Sequence, residues 1–168
     1  MLLIMRIQMK FLQLWWQITI PTRLRMLKVE VGNNVKFYGM PIISMVKGSN
    51  IRIGDRVVLC SDSRFTALGV NHPVVLRTLQ PNAEIIIGSD SGMSGGTICA
   101  ATQVKLGREC LIGANVTIVD TDFHSIEATG RRYNVDPQKI ATLPIVIEDN
   151  LFIGTNAMIL KGVTIVKN

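Results

Sequence analysis

The chain has 168 residues, 48% of them hydrophobic and 18% charged, with a net charge of +6 and a mean hydropathy of +0.33. That length makes one ordinary domain, and the composition excludes a disordered, collagen-like or low-complexity chain. Three widely spaced cysteines (Cys60, Cys99, Cys110) give neither a disulfide framework nor a CxxC metal clip. Two histidines, His72 and His124, cannot supply an all-His zinc site, so no metal is expected.

The positive charge is gathered at one end. Residues 1–30 hold Arg6, Lys10, Arg23, Arg25 and Lys28 against Glu30, a balance of +4, which leaves +2 for the other 138 residues. No basic face and no nucleic-acid motif is found, so nucleic acid is not an expected partner.

The first predicted element is a helix over MLLIMRIQMKFLQLWWQITIP, ending before Pro21. Arg6 and Lys10 interrupt the apolar run, which disfavours a membrane-spanning helix, and no small-residue cleavage site marks a signal peptide. Trp15 and Trp16, followed by Arg23, Arg25 and Lys28, suit a membrane–water interface. A helix docked by its apolar face on the domain, or on another subunit, has the same pattern. Both readings of residues 1–28 stand at this point.

From residue 31 the chain repeats every six residues. Ile147, Ile153, Ile159 and Ile165 are spaced by six, with Leu151, Ala157 and Val163 four residues after the first three. Leu106, Ile112 and Ile118 follow the same rule, with Cys110 and Val116 in the second slot, and Ile53, Leu59 and Phe65 keep the step. Gly32, Gly54, Gly88, Gly107, Gly113 and Gly154 each follow an aliphatic residue, and Asn or Asp recurs in the turns. A period of six is neither a strand's nor a helix's. It predicts a short strand plus a turn, stacked into a solenoid around aliphatic columns, with Gly and Asn supplying positive φ at the corners. Residues 66–82 lose the register, and a one-residue slip falls between Met93 and Ala100.

Blocks such as Ile112-Gly113-Ala114-Asn115-Val116-Thr117 and Ile153-Gly154-Thr155-Asn156-Ala157-Met158 resemble the hexapeptide-repeat acyltransferases over residues 31–168. The resemblance implies an all-β fold, a left-handed parallel β-helix with three hexads per coil. It also implies a homotrimer with active sites between subunits. The expected organisation is an N-terminal segment, 1–30, and a β-helix domain, 31–168. Family members continue for another coil or two and a closing segment, which this chain lacks.

The repeat breaks after Ile118. The next inward slot is Asp122, and an unpaired carboxylate among aliphatic side chains costs several kcal/mol, so the chain must leave the coil. It resumes at Ile147, 29 residues after Ile118. The loop between, about 119–146, is long enough to be functional. It opens with Asp120-Thr121-Asp122-Phe123-His124, which resembles the segment around the catalytic histidine of bacterial polysaccharide and sugar O-acetyltransferases. That implies His124 as general base toward a sugar hydroxyl and acetyl-CoA as co-substrate. A neutral imidazole suits such proton removal near neutral pH, and Asp122 or Asp120 would hold the ring in its productive tautomer.

Where the family reads Asn-x-Trp-Ile-Gly, this chain has Asn150-Leu151-Phe152-Ile153-Gly154-Thr155. By resemblance Phe152, Gly154 and Thr155 line the acyl-CoA arm, with an aromatic face but no indole donor. His72 reads as structural or acceptor-side, and Cys110 as a small hydrophobe in an inward slot. The expected setting is cytoplasmic, with peripheral contact at the inner membrane face through residues 1–28. Two alternatives are a non-catalytic β-helix serving assembly and an acetyltransferase for another small acceptor. A β-helical carbonic anhydrase needs three metal-binding histidines; the chain has two.

Overall fold

The computed structural model describes residues 2–134 and 136–167. Helix α1 (Leu2–Met26) precedes sixteen short strands. The first coil is β1 (Glu30–Val31), β2 (Lys36–Tyr38) and β3 (Ile42–Ser44); the second is β4 (Asn50–Ile53), β5 (Val58–Cys60) and β6 (Val75–Thr78). The third is β7 (Glu84–Ile87), β8 (Gly92–Ser94) and β9 (Thr97–Ala100), and the fourth β10 (Gln103–Leu106), β11 (Leu111–Ile112) and β12 (Thr117–Val119). The fifth holds β13 (Ile145–Ile147), β14 (Phe152–Ile153) and β15 (Met158–Leu160), and β16 (Thr164–Ile165) follows it. Every third strand pairs in parallel, giving sheets ordered β1-β4-β7-β10-β13-β16, β2-β5-β8-β11-β14 and β3-β6-β9-β12-β15. This is the solenoid expected from the repeat, and its three parallel sheets fit the left-handed parallel β-helix that the resemblance implies.

Register places one side chain per strand in a column along the axis. The first sheet stacks Val31, Ile53, Ile87, Leu106, Ile147 and Ile165. The second stacks Phe37, Leu59, Met93, Ile112 and Ile153, and the third Ile43, Leu76, Ile98, Ile118 and Ile159. All belong to or pack against one core. Each fully buried aliphatic side chain contributes about 1.5–3 kcal/mol, which sums to the main favourable term in a fold made of two- to four-residue strands. Burial pushes the Cys60, Cys99 and Cys110 thiols up from their usual range. These cysteines fill space.

The corners differ from the sequence expectation in one respect. Positive φ falls on Asn34, Arg56, Asp90, Glu109, Asn115, Asn150 and Asn156, three residues after the inward aliphatic, and not on the glycine beside it. That glycine serves a different need. A Cβ on Gly88 would overlap the carbonyl of Gly107 and sit 2.6 Å from the amide nitrogen of Arg108. At Gly107 it would lie 2.6 Å from both Asp149 Oδ1 and the carbonyl carbon of Glu148. Successive coils touch backbone to backbone here. Corner side chains then tie the coils together: Asp55 Oδ1 accepts from Asn33 N–H (2.7 Å), Ser89 Oγ from Asp55 N–H (3.0 Å) and Asp149 Oδ1 from Arg108 N–H (2.8 Å). Hydrogen bonds from the Arg108 backbone and guanidinium hold Asp149 below the ordinary carboxylate range.

Two readings need correction. Phe65 does not continue a column; it lies in a 3-10 turn (Ser63–Phe65), and Leu76 takes the inward slot instead. The Phe65 ring packs on Tyr38 (5.1 Å) and edge-on against Trp16 (5.6 Å), tying α1 to the domain. Nor does α1 stop before Pro21; it runs through to Met26. An internal proline costs about 3 kcal/mol, but Ile20 and Leu24 on either side of it are fully buried in the core. Packing outweighs the loss. Gln17 also caps the open edge of β2, accepting from Phe37 N–H (3.3 Å) and donating to Phe37 C=O (2.7 Å).

The two glycine environments give a direct check. Gly88→Ala should cost about 1–3 kcal/mol or more in urea unfolding, because backbone cannot yield to the new methyl group. Gly154→Ala should leave stability nearly unchanged, since a Cβ there meets nothing within 4 Å.

Candidate active site

The hexad repeat breaks after Ile118 in β12, although its column continues through Ile159, and the chain leaves the coil at Asp120, two residues before the slot that periodicity marks. Asp120 is fully buried, yet its carboxylate is well supplied with donors. It accepts from Ala101 N–H (2.6 Å), Thr102 N–H (2.7 Å) and Thr102 Oγ1 (2.8 Å), all on the turn between β9 and β10. The excursion is then pinched shut at its base. Thr121 bridges Thr142, Asp122 N–H donates to Ala141 C=O (3.1 Å), and Leu143 N–H donates to Asp120 C=O (3.0 Å). Residues 123–134 and 136–140 project from this neck.

Phe123 takes a left-handed conformation (φ +61°), and its N–H reaches Thr121 Oγ1 at 3.3 Å. This reverses the chain and leaves His124 exposed at the start of the projecting segment. Ser125 is buried, its Oγ accepting from Glu127 N–H (3.2 Å), and Arg131 donates to the carbonyls of Ile126 (2.6 Å) and Glu127 (3.2 Å). The loop is therefore held by its own polar contacts rather than by an apolar core. Between it and the coil lies a groove of about 490 Å³ whose walls include Gln80, Thr102, Thr121, Phe123, Gln138 and Thr142. Its surface is mostly apolar, from residues such as Leu79, Phe123 and Ile140, with hydroxyl and amide groups among them, and it reaches the residue next to His124.

Asp122 is paired with a residue that sequence reasoning did not single out. Lys161, on the turn after β15, places Nζ 2.7 Å from Asp122 Oδ1. Asp122 Oδ2 is buried and, among the described residues, has no hydrogen-bond partner. The same turn supports the neck, since Gly162 N–H donates to Leu143 C=O at 3.1 Å. Only the coil geometry brings residue 161 beside residue 122, and no local motif signals it.

Phe152, Gly154 and Thr155 lie on β14 and the turn leading from it, on a different sheet from the strand that precedes the excursion. Phe152 is 76% exposed and sits in register with Leu111, also exposed, so the outer face of this sheet carries an apolar strip. Gly154 and Thr155 are exposed at the corner. Among the described residues no hydrogen bond or ion pair joins this group to His124 or Asp122. His72 is half-buried with Nδ1 2.7 Å from Pro73 C=O, in the shorter excursion between β5 and β6. Among the described residues, no group of His, Cys, Asp and Glu side chains could hold a metal ion.

No family model matches the chain, and no solved structure matches it. Over 137 residues, 80% of its length, the chain is 27% identical to the polysialic acid O-acetyltransferase of Neisseria meningitidis, 55% of which is covered by the match. The chain thus spans about half the length of the curated relative it matches, and its relationship is a distant one to an O-acetyltransferase.

Proposed function

We propose that the protein is an acetyl-CoA-dependent O-acetyltransferase that modifies a hydroxyl of a sugar or polysaccharide, with His124 as general base. The observation that carries this reading is the placing of His124. It stands exposed at the root of a self-supported loop, where the hexad repeat gives way to the Asp120 clamp, in a chain distantly related to an O-acetyltransferase. In the reaction, the acceptor oxygen forms a bond to the thioester carbonyl carbon while its proton passes to the imidazole. Collapse of the tetrahedral intermediate breaks the C–S bond, and the imidazolium returns the proton to the departing thiolate. No covalent acetyl-enzyme is needed.

The unengaged Oδ2 of Asp122 supports an orienting role for this residue. It leaves an acceptor open for an imidazole N–H, while Lys161 holds the other oxygen. The groove beside Phe123, mostly apolar with hydroxyl and amide groups among its walls, is the proposed acceptor site. Phe152, with the backbone at Gly154 and Thr155, is the proposed surface for the acyl-CoA arm. Use of acetyl-CoA puts the reaction in the cytoplasm. Because these two groups lie on different sheets of one chain, the proposed assembly is a homotrimer. In it, the apolar strip of Phe152 and Leu111 faces the excursion of a neighbour.

Thiol release from acetyl-CoA, measured against a panel of sugars, tests the chemistry. His124→Ala should lower turnover by about 10²–10⁴-fold with little change in melting temperature, and Asp122→Asn should lower it less. Asp120→Ala should behave differently, losing about 2–4 kcal/mol of stability as buried backbone N–H groups lose their acceptor. Full activity in His124→Ala would remove the general base from the account. No transfer from the wild-type protein to any sugar would favour the assembly-subunit reading. Light scattering at micromolar concentration should report a trimer; a stable monomer would contradict the shared site.

A further inference from the structure

Helix α1 is apolar on two opposite faces. One face, with Trp16, Ile20 and Leu24, packs on the first coil. The other carries Ile4, Ile7, Phe11, Leu14 and Ile18, spaced by three or four residues, with Trp15 beside them. On a 3.6-residue helix this forms a continuous stripe about 100° wide. These six side chains are 57–69% exposed, and the stripe follows most of the helix. Docking on the domain therefore accounts for three of these nine apolar residues and leaves six largely in water.

We propose that this outward face of α1 docks on an anionic lipid surface. The charge pattern selects that occupant. Arg6, Lys10, Arg23, Arg25 and Lys28 are all exposed, and no acidic residue occurs before Glu30. The helix pairs an apolar stripe with a purely cationic remainder, and Trp15 sits at its margin, the combination that binds headgroups and inserts shallowly. A second copy of the same helix would match the three-and-four spacing of a coiled-coil seam. It would also bring five more cations and no acidic partner, so the flanks would repel. Among the described residues no helix is long and apolar enough to cross a membrane, so the contact is one of lying on the surface. The proposal does not depend on the chemistry assigned to His124.

The test uses the full-length protein and vesicles of phosphatidylcholine with or without phosphatidylglycerol. Wild type should sediment with the anionic vesicles, weakly with the neutral ones, and less in high salt. Phe11→Gln/Leu14→Gln should reduce anionic-vesicle binding by at least about tenfold, with melting temperature unchanged, because both side chains lie outside the core. In Trp16→Phe protein, where Trp15 is the sole tryptophan, anionic vesicles should shift the emission to the blue. Equal binding by wild type and the double variant, or no emission shift, would overturn the proposal. So would a Phe11- and Leu14-dependent oligomer that forms without lipid, which would assign the stripe to a second copy.

Discussion

The fold depends on one constraint: each hexad must send one apolar side chain toward the axis of the solenoid. Strands of two to four residues cannot be stable alone, and their parallel hydrogen bonds exist only when the next coil lies directly on top. Three aliphatic columns supply the driving force for that stacking. Gly32, Gly54, Gly88, Gly107 and Gly113, each after an inward residue, allow the backbones of adjacent corners to touch, and a left-handed Asn, Asp, Arg or Glu two residues later turns the chain onto the next face. Where the hexad repeat is interrupted along the chain, after Ile118, the chain leaves the coil, and it returns to continue the same columns at Ile147, Ile153 and Ile159.

The site grows out of that interruption. Asp120 follows the last inward residue of its coil, and the turn between β9 and β10 offers it two backbone N–H groups and a hydroxyl. The exit is therefore fixed by the coil beneath, and the Thr121–Thr142 bridge closes the neck above it. Lys161, from the coil beyond, grips Asp122. His124 thus stands on a segment braced from both sides of the stack.

Much of this was legible in the sequence, because a strict repeat marks its own exceptions. The six-residue step predicted the solenoid and identified the long excursion, and with it the segment containing His124. What was not legible concerned contacts between coils. The corner glycines were read as conformational, but their reason is the approach of the next backbone. Phe65 kept the arithmetic of the repeat while leaving the column, since only the fold shows Trp16 and Tyr38 waiting for it. The exit fell at Asp120 rather than Asp122 because its donors lie a full coil earlier. For α1, the docking reading describes the face with Trp16, Ile20 and Leu24, and the membrane reading is the proposal made for the opposite face. Pro21 did not end it because Ile20 and Leu24 reach the core.

The central claim is direct, base-assisted acetyl transfer from a thioester to a sugar hydroxyl at His124. Incubation with radiolabelled acetyl-CoA and a saccharide panel, followed by separation of protein from sugar, tests it most directly. The account predicts label in a sugar fraction, none retained covalently on the protein, and loss of the sugar label in His124→Ala. Label held on the protein, or sugar labelling that survives in His124→Ala, would contradict it.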